Sequence, residues 1–315
     1  MFRVAHLTDL HATPAHAVVA GLFGKRFFGW LSWQLRRRHA HQERVLEALL
    51  ADLHAQAPDQ IVVTGDLTNV AGEQEFPAAR AWLERLGPPA RVSIVPGNHD
   101  AYVPVPAERG VALWSDYVES DGAGLAAPPR GEFPTLRLRG RLAVVGVSSA
   151  MPTPLFQAGG RVGEAQLERL ESLLARLGRD GLFRMVLIHH PPEPGVVSRR
   201  RALRDASAVR DVLARAGAEL VLHGHTHHMR VGTLPGPDGP IPVVGARSAS
   251  DVGLRPEKRA QYHLYEVEPY EVAPYEVGPG AADPGGARGR FRIRMRVRGY
   301  APEAGGFAAE DERTL

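Results

Sequence analysis

Residues 218–229 read AELVLHGHTHHM: an apolar run, a glycine, and four histidines within the six positions from His223 to His228. The run 218–222 predicts a short buried strand. The polar residues begin where that strand ends. In α/β sheets ligands bind in the crevice beyond the carboxyl ends of the strands, so the question is whether the other strands end in the same way.

They do. Apolar runs at 2–8 (FRVAHLT), 60–64 (QIVVT), 91–95 (RVSIV), 141–147 (RLAVVGV) and 184–188 (RMVLI) also predict buried strands. Helical spacing of apolar residues occupies about 42–56, 73–86, 108–119, 163–177 and 206–216. This βα alternation predicts an α/β layered protein. The last third changes character, with strand patterns at 229–234, 241–246, 261–267 and 289–298 and no helix between them. A second sheet follows, giving two sheets with helices outside.

The strands end in Thr8-Asp9-Leu10-His11, Gly65-Asp66-Leu67-Thr68, Pro96-Gly97-Asn98-His99-Asp100, His189-His190-Pro191-Pro192 and Gly224-His225-Thr226-His227. Asp, Asn and His are the oxygen and imidazole donors that hold divalent transition metals. If the chain stays extended, residues i and i+2 point to one side, so Asp9 with His11, and His225 with His227, can each face one centre. Glycines 65, 97 and 224 allow sharp turns or close backbone approach. A lone D-x-H or G-D is commonplace; five such pieces at five strand ends point to a single site.

Composition narrows the chemistry. The 315 residues include no cysteine, which removes disulfides, thiolate zinc sites and iron–sulfur clusters. The net charge of +3 tolerates anionic substrates without calling for nucleic acid as a partner. No apolar run reaches the length of a membrane span. The start MFRVAHLTDLH lacks the features of a signal peptide, so a cytoplasmic location is expected.

The order D-x-H, G-D, G-N-H-D, H-H-P-P, G-H-T-H resembles the calcineurin-like metallophosphoesterase superfamily, and is most similar to its bacterial class III cyclic nucleotide phosphodiesterases. The resemblance implies a four-layer αββα sandwich of two mixed sheets flanked by helices, as a single domain over 1–300. It implies two divalent cations (Mn, Fe or Zn): one held by Asp9, His11 and His227, the other by Asn98, His189 and His225, with Asp66 bridging. In such centres a water activated between the metals attacks phosphorus in line. His99 then contacts the phosphate or protonates the leaving group, and Asp100 is expected to orient His99. His223 is expected behind the ligands, His228 at the rim, and His190 either lining the cleft or packing.

The resemblance implies a phosphoester or pyrophosphate substrate, and the segments around the cleft are expected to select it. Residues 12–41 form an aromatic and basic helical insertion whose core, 21–38, reads GLFGKRFFGWLSWQLRRR. It suits a helix packed on the body, a basic lid, or an interfacial helix making peripheral contact with the inner membrane face. A soluble phosphodiester such as a cyclic nucleotide is the first reading. A membrane-surface pyrophosphohydrolase acting on a UDP-diacylglucosamine-like lipid is the alternative, and retention of every ligand argues against a scaffold. Residues 268–288 repeat YEV-x-P and predict a flexible loop. Residues 290–298 put five arginines on one face, expected to be the solvated face of an edge strand, and residues 301–315 are expected to be a disordered tail.

Overall fold

Alternation along the strands decides the layering. In the computed structural model, which describes residues 1–12, 24–121, 131–270 and 290–315, strand β1 (Phe2–Leu7) turns Val4 to one core and Ala5 and Leu7 to another. Strand β5 (Leu142–Val147) does the same, with Leu142 and Val144 on one side and Ala143, Val145 and Val147 on the other. Successive side chains of a strand face opposite ways. The core shared by Val4, Leu142 and Val144 is therefore the seam between two face-to-face sheets, and the other two cores lie under helices.

The first sheet holds β1, β2 (Gln60–Val63) and β3 (Val92–Ile94) in parallel. Beyond β1 it continues antiparallel through β10 (Gln261–Tyr270), β11 (Arg290–Ala301) and β12 (Gly306–Thr314). Helices α3 (Glu43–Gln56) and α4 (Glu75–Leu86) cover its outer face. The second sheet runs β4 (Thr135–Arg139), β5, β6 (Phe183–Ile188), β7 (Leu220–His223), β9 (Ile241–Gly245) and β8 (Arg230–Leu234). Its β5, β6, β7 and β9 are parallel, while β4 and β8 run antiparallel at the edges.

Helices α6 (Glu164–Arg179) and α7 (Ala206–Ala216) cover the second sheet. Leu167, Leu170, Leu174 and Leu177 recur at three- and four-residue spacing and make one buried stripe on α6. Each such leucine contributes about 1.5–3 kcal/mol by leaving water. The expected αββα sandwich of two mixed sheets is the fold.

Four expectations need correction. The last third does not build one sheet: β8 and β9 extend the second sheet, while β10, β11 and β12 extend the first. The segment 301–315 is not disordered, because β12 pairs along β11. Strand β11 is therefore internal, and three of its arginines are paired with acids rather than merely solvated. Arg298 meets Asp52 of α3 at 2.5 Å, Arg296 pairs with Glu266, and Arg294 lies 3.6 Å from Glu312. The helix expected at 108–119 is two tight turns followed by the short α5 (Ser115–Val118). Of the repeat region, 268–270 belong to β10 and the remainder up to 288 lies outside the described residues.

The insertion contributes α1 (Lys25–Ser32), a π-helical turn Trp33–Arg37 and the single turn α2 (Arg38–Ala40). It is pinned to the body at both ends. Lys25 donates to the Tyr102 carbonyl at 2.7 Å and Arg26 to that of Ala71 at 2.6 Å. His41 and Asp251 then bridge backbone to backbone. No described helix is long and apolar enough to cross a membrane.

Candidate metal centre

The parallel strands β1, β2, β3, β6 and β7 end at one side of the sandwich, and their next residues converge there. Side-chain donors of Asp9, His11 and His227 lie within 4.8 Å of one another, as do those of Asp9, Asp66 and His189. The Asn98 carbonyl oxygen stands 3.1 Å from His189 Nε2 and 2.7 Å from His225 Nδ1. Asp66 also groups with His11 and His99. All seven residues expected to hold metal thus form one connected cluster, with Asp66 shared between its halves.

The backbone brings them together in a way the sequence reading did not foresee. Asp9, His11, Asp66, His225 and His227 all have left-handed φ, between 43° and 68°. The paired positions face one centre through tight turns rather than along an extended chain. Non-glycine residues seldom adopt this conformation, and at about 1–3 kcal/mol each it persists only where surrounding structure enforces it. Here the enforcement is visible. Asp9 N donates to the Gly65 carbonyl and His11 N to that of Asp66, each at 3.0 Å. Gly224 admits the β1 turn, since a Cβ there would sit 1.9 Å from Thr8 Oγ1 and 2.7 Å from Asp9 Oδ2.

Hydrogen bonds orient the donors. His11 Nδ1 faces the Thr68 carbonyl at 3.1 Å, and His189 Nδ1 faces the Thr64 carbonyl at 2.6 Å. His225 Nε2 faces the Arg201 carbonyl at 3.0 Å, and the Arg201 guanidinium donates back to the His225 carbonyl at 2.8 Å. In each ring one nitrogen is committed to a carbonyl as donor, which directs the other into the centre, where it can ligate once the ring is neutral. Asp9 Oδ2 accepts from Thr8 Oγ1 and His225 N, while Oδ1 is buried without a hydrogen-bond partner, 3.2 Å from His227 Nε2. A buried carboxylate oxygen left unpaired is costly, and this one points at imidazole. The donor set and its orientation fit divalent cations.

The electrostatics agree. Burial alone would lower His189, but Asp66, helped by Asp9 and the Thr64 carbonyl, overrides it and holds the ring up to about 9. Burial works against ionised Asp9 and Asp66, yet the histidines beside them keep both below the usual carboxylate range. Burial pushes His11 down to about 4 and His190 to about 3, leaving them neutral.

His99 stands at the mouth. Its Nδ1 donates to the Asn69 carbonyl at 2.5 Å, and its ring stacks on Tyr102 at 5.5 Å with planes 9° apart. Asp100 does not orient it. One oxygen of Asp100 accepts from Asp66 N and Gly97 N, and the other from Leu67 N, Thr68 N and Thr68 Oγ1. Asp100 clamps the Asp66 loop to the Asn98 loop instead of reaching the His99 ring as expected. His223 is also displaced from its expected place behind the ligands, which use backbone carbonyls instead; it is buried 3.3 Å from Glu193. His190 packs between Ser149 Oγ and the Ala158 carbonyl rather than lining the cleft, and His228 is exposed at the rim.

Two residues near the centre carry no motif signal. His41 lies with its ring 4.6 Å from that of His11 and its Nδ1 2.7 Å from Ser250 Oγ. Arg37, from the insertion, reaches the His99 ring. Both come from outside the strand ends, so only tertiary structure reveals them. The cleft above the centre measures about 1080 Å³, and Arg37, His99, Arg201, Arg255 and Lys258 are among the residues around it.

Comparison with known proteins places this geometry. Residues 2–229 match the family model for calcineurin-like phosphoesterases. A "Probable cyclic nucleotide phosphodiesterase" of Synechococcus sp. is 27% identical over 225 residues, 70% of this chain and 77% of that protein. Another so named, from Rhodococcus erythropolis, is 30% identical over 199 residues, 61% of this chain and 57% of the relative. Among solved structures, a dimetal phosphatase from Danio rerio shares the fold with a TM-score of 0.58 at 14% identity, covering 100% of this chain and 98% of that one. Purple acid phosphatase PPD1 of yellow lupin gives 0.57 at 12%, covering 99% and 53%. The match over most of its length establishes that the chain belongs to the calcineurin-like phosphoesterase family and is a metal-dependent phosphoester hydrolase.

Proposed function

We propose that the chain is a dinuclear phosphodiesterase whose substrate is a cyclic nucleotide or related phosphodiester. Asp9, His11 and His227 hold one cation, Asn98, His189 and His225 the other, and Asp66 bridges them. The observation that carries this is the orientation of His11, His189 and His225, each with one ring nitrogen bound to a carbonyl outside the cluster and the other directed into it. When bound, the cations supply an activated water at neutral pH and neutralise charge on the phosphoryl oxygens. The protein's own groups then position the ester. His99, fixed through Asn69 and Tyr102, presents its ring at the mouth to steady the phosphoryl group or to protonate the departing oxygen. The names of the relatives support a cyclic nucleotide.

A second reading rests on a separate observation. Phe28, Leu31, Leu35, Phe156 and Leu254 are exposed. Phe28 and Phe156 touch at 6.3 Å between ring centres, and Leu35 and Leu254 both line the cleft. An apolar rim among arginines suits peripheral contact with anionic lipid, and hence a lipid-linked pyrophosphate such as a UDP-diacylglucosamine.

The test is turnover of the Mn-loaded protein on 3′,5′-cyclic AMP in buffer, beside UDP-diacylglucosamine in mixed micelles. Fast release in the first arm alone supports the nucleotide reading; in the second alone, the lipid reading. Asp66→Ala is expected to lose metal and to drop turnover by roughly a thousandfold or more. His99→Ala keeps both metals and loses roughly 10²–10⁴ in rate. A metal-replete, fully active Asp66→Ala enzyme would sink the dinuclear assignment.

A further inference from the structure

We infer that Arg37, delivered by the π-helical turn of the insertion, is a phosphate-contact residue of the centre. The inference rests on the dinuclear reading above and adds a group outside its motifs.

The turn Trp33–Arg37 joins α1 to α2 with one residue more per turn than an α-helix. Such π-turns recur at functional sites. Here the wider turn leaves Leu35, Arg38 and His39 exposed, while Arg37 turns in and lines the cleft. Arg37 is half-buried, held between the body and the cleft.

A guanidinium drawn out of water normally sits against a carboxylate, because desolvating its charge is costly. Among the described residues no carboxylate lies within ion-pair distance of Arg37, and Asp66 and Glu75 act on it only from farther off. Its recorded side-chain contacts are with the His99 ring, 3.2 Å to Nδ1 and 3.4 Å to Nε2. Nδ1 already donates to Asn69, so only Nε2 can accept from Arg37, and that contact is long. The rest of the fork has no described acceptor.

A cation held without its anion, beside a histidine that faces a phosphoryl site, is an anion receptor awaiting its ligand. The planar fork matches two oxygens of a phosphate. The His99 contact places Arg37 beside the ring proposed to meet the phosphoryl group, so both would reach it from the mouth of the cleft.

The test compares wild type, Arg37→Ala and Arg37→Lys, each loaded with Mn, using inorganic phosphate as the probe. Metal content, phosphate affinity by calorimetry and melting temperature with and without phosphate are read together with kcat and KM for bis(p-nitrophenyl) phosphate. Arg37→Ala is expected to keep both metals and to weaken phosphate binding at least tenfold. Its melting temperature without phosphate should be unchanged or higher, because the uncompensated charge is gone, and the phosphate-induced rise should shrink. Arg37→Lys should recover part of the affinity, since it restores charge but not the fork. Wild-type phosphate affinity in Arg37→Ala overturns the inference, and so does a fall in its phosphate-free melting temperature, which marks a purely structural role. Failure of the wild type to load metal or turn over overturns the dinuclear reading instead.

Discussion

At the scale of single residues, the proposed ligand set was legible because its chemistry is spelled out in the chain: each member is an Asp, Asn or His just past an apolar run. The backbone that aims them was not legible. An extended strand and a left-handed turn both accommodate H-x-H, and tertiary contacts select the turn: Gly224 packs against Thr8 and Asp9, and His225 N donates to Asp9 Oδ2. Asp100 misled for a related reason, since adjacency to His99 says nothing about which backbone groups its carboxylate will meet. The His189–Asp66 pair has a consequence for pH. In the metal-free chain burial opposes the His189 charge, Asp66 outweighs it, and the ring stays protonated up to about 9. Metal must displace that proton, because only neutral imidazole ligates. Loading at pH 7 is therefore expected to release about one proton, with apparent affinity rising up to tenfold per pH unit and levelling above about pH 9. Calorimetry in buffers of different ionisation enthalpy reads the proton directly; identical heats would remove the linkage.

At the scale of elements, the parallel strands and their helices were legible from period and length, whereas β12 was not. Its sequence GFAAEDERT is polar and charged, and it is a strand because β11 offers it a ladder and arginines to pair with its acids. Tertiary context thus overrides a pattern that reads as tail. The β10–β11 ladder runs from Gln261↔Gly299 to Tyr270↔Arg290 and defines its own register. Arg298, bound to Asp52, ties it to α3. Replacing residues 271–289 with a short Gly-rich turn is therefore expected to change phosphodiester turnover less than twofold and stability by roughly 1 kcal/mol or less, since loop closure depends weakly on length. Activity and urea unfolding of the shortened chain check this; loss of folding would assign the segment a structural role.

At the scale of the molecule, the proposed ligands come from both sheets: Asp9, Asp66 and Asn98 follow strands of the first, and His189 and His225 follow strands of the second. Metal at this point fastens the two halves of the sandwich across their seam. A cation bound at a thousand times its dissociation constant adds about 4 kcal/mol. Chelation is therefore expected to lower the melting temperature by roughly 10 °C or more, through one cooperative transition observed by calorimetry. Two separated transitions would mean the sheets melt independently of the centre. The position of β1 bears on how the chain emerges from the ribosome. It precedes every other described strand in the chain, yet it lies between β2 and β10. Once His227 has been synthesised every proposed ligand exists, but β1 still has a bare edge until residues 263–267 arrive to pair with it. A nascent chain in that interval holds the complete ligand set on an unfinished scaffold, so competence is delivered by the closing strands rather than by the last ligand.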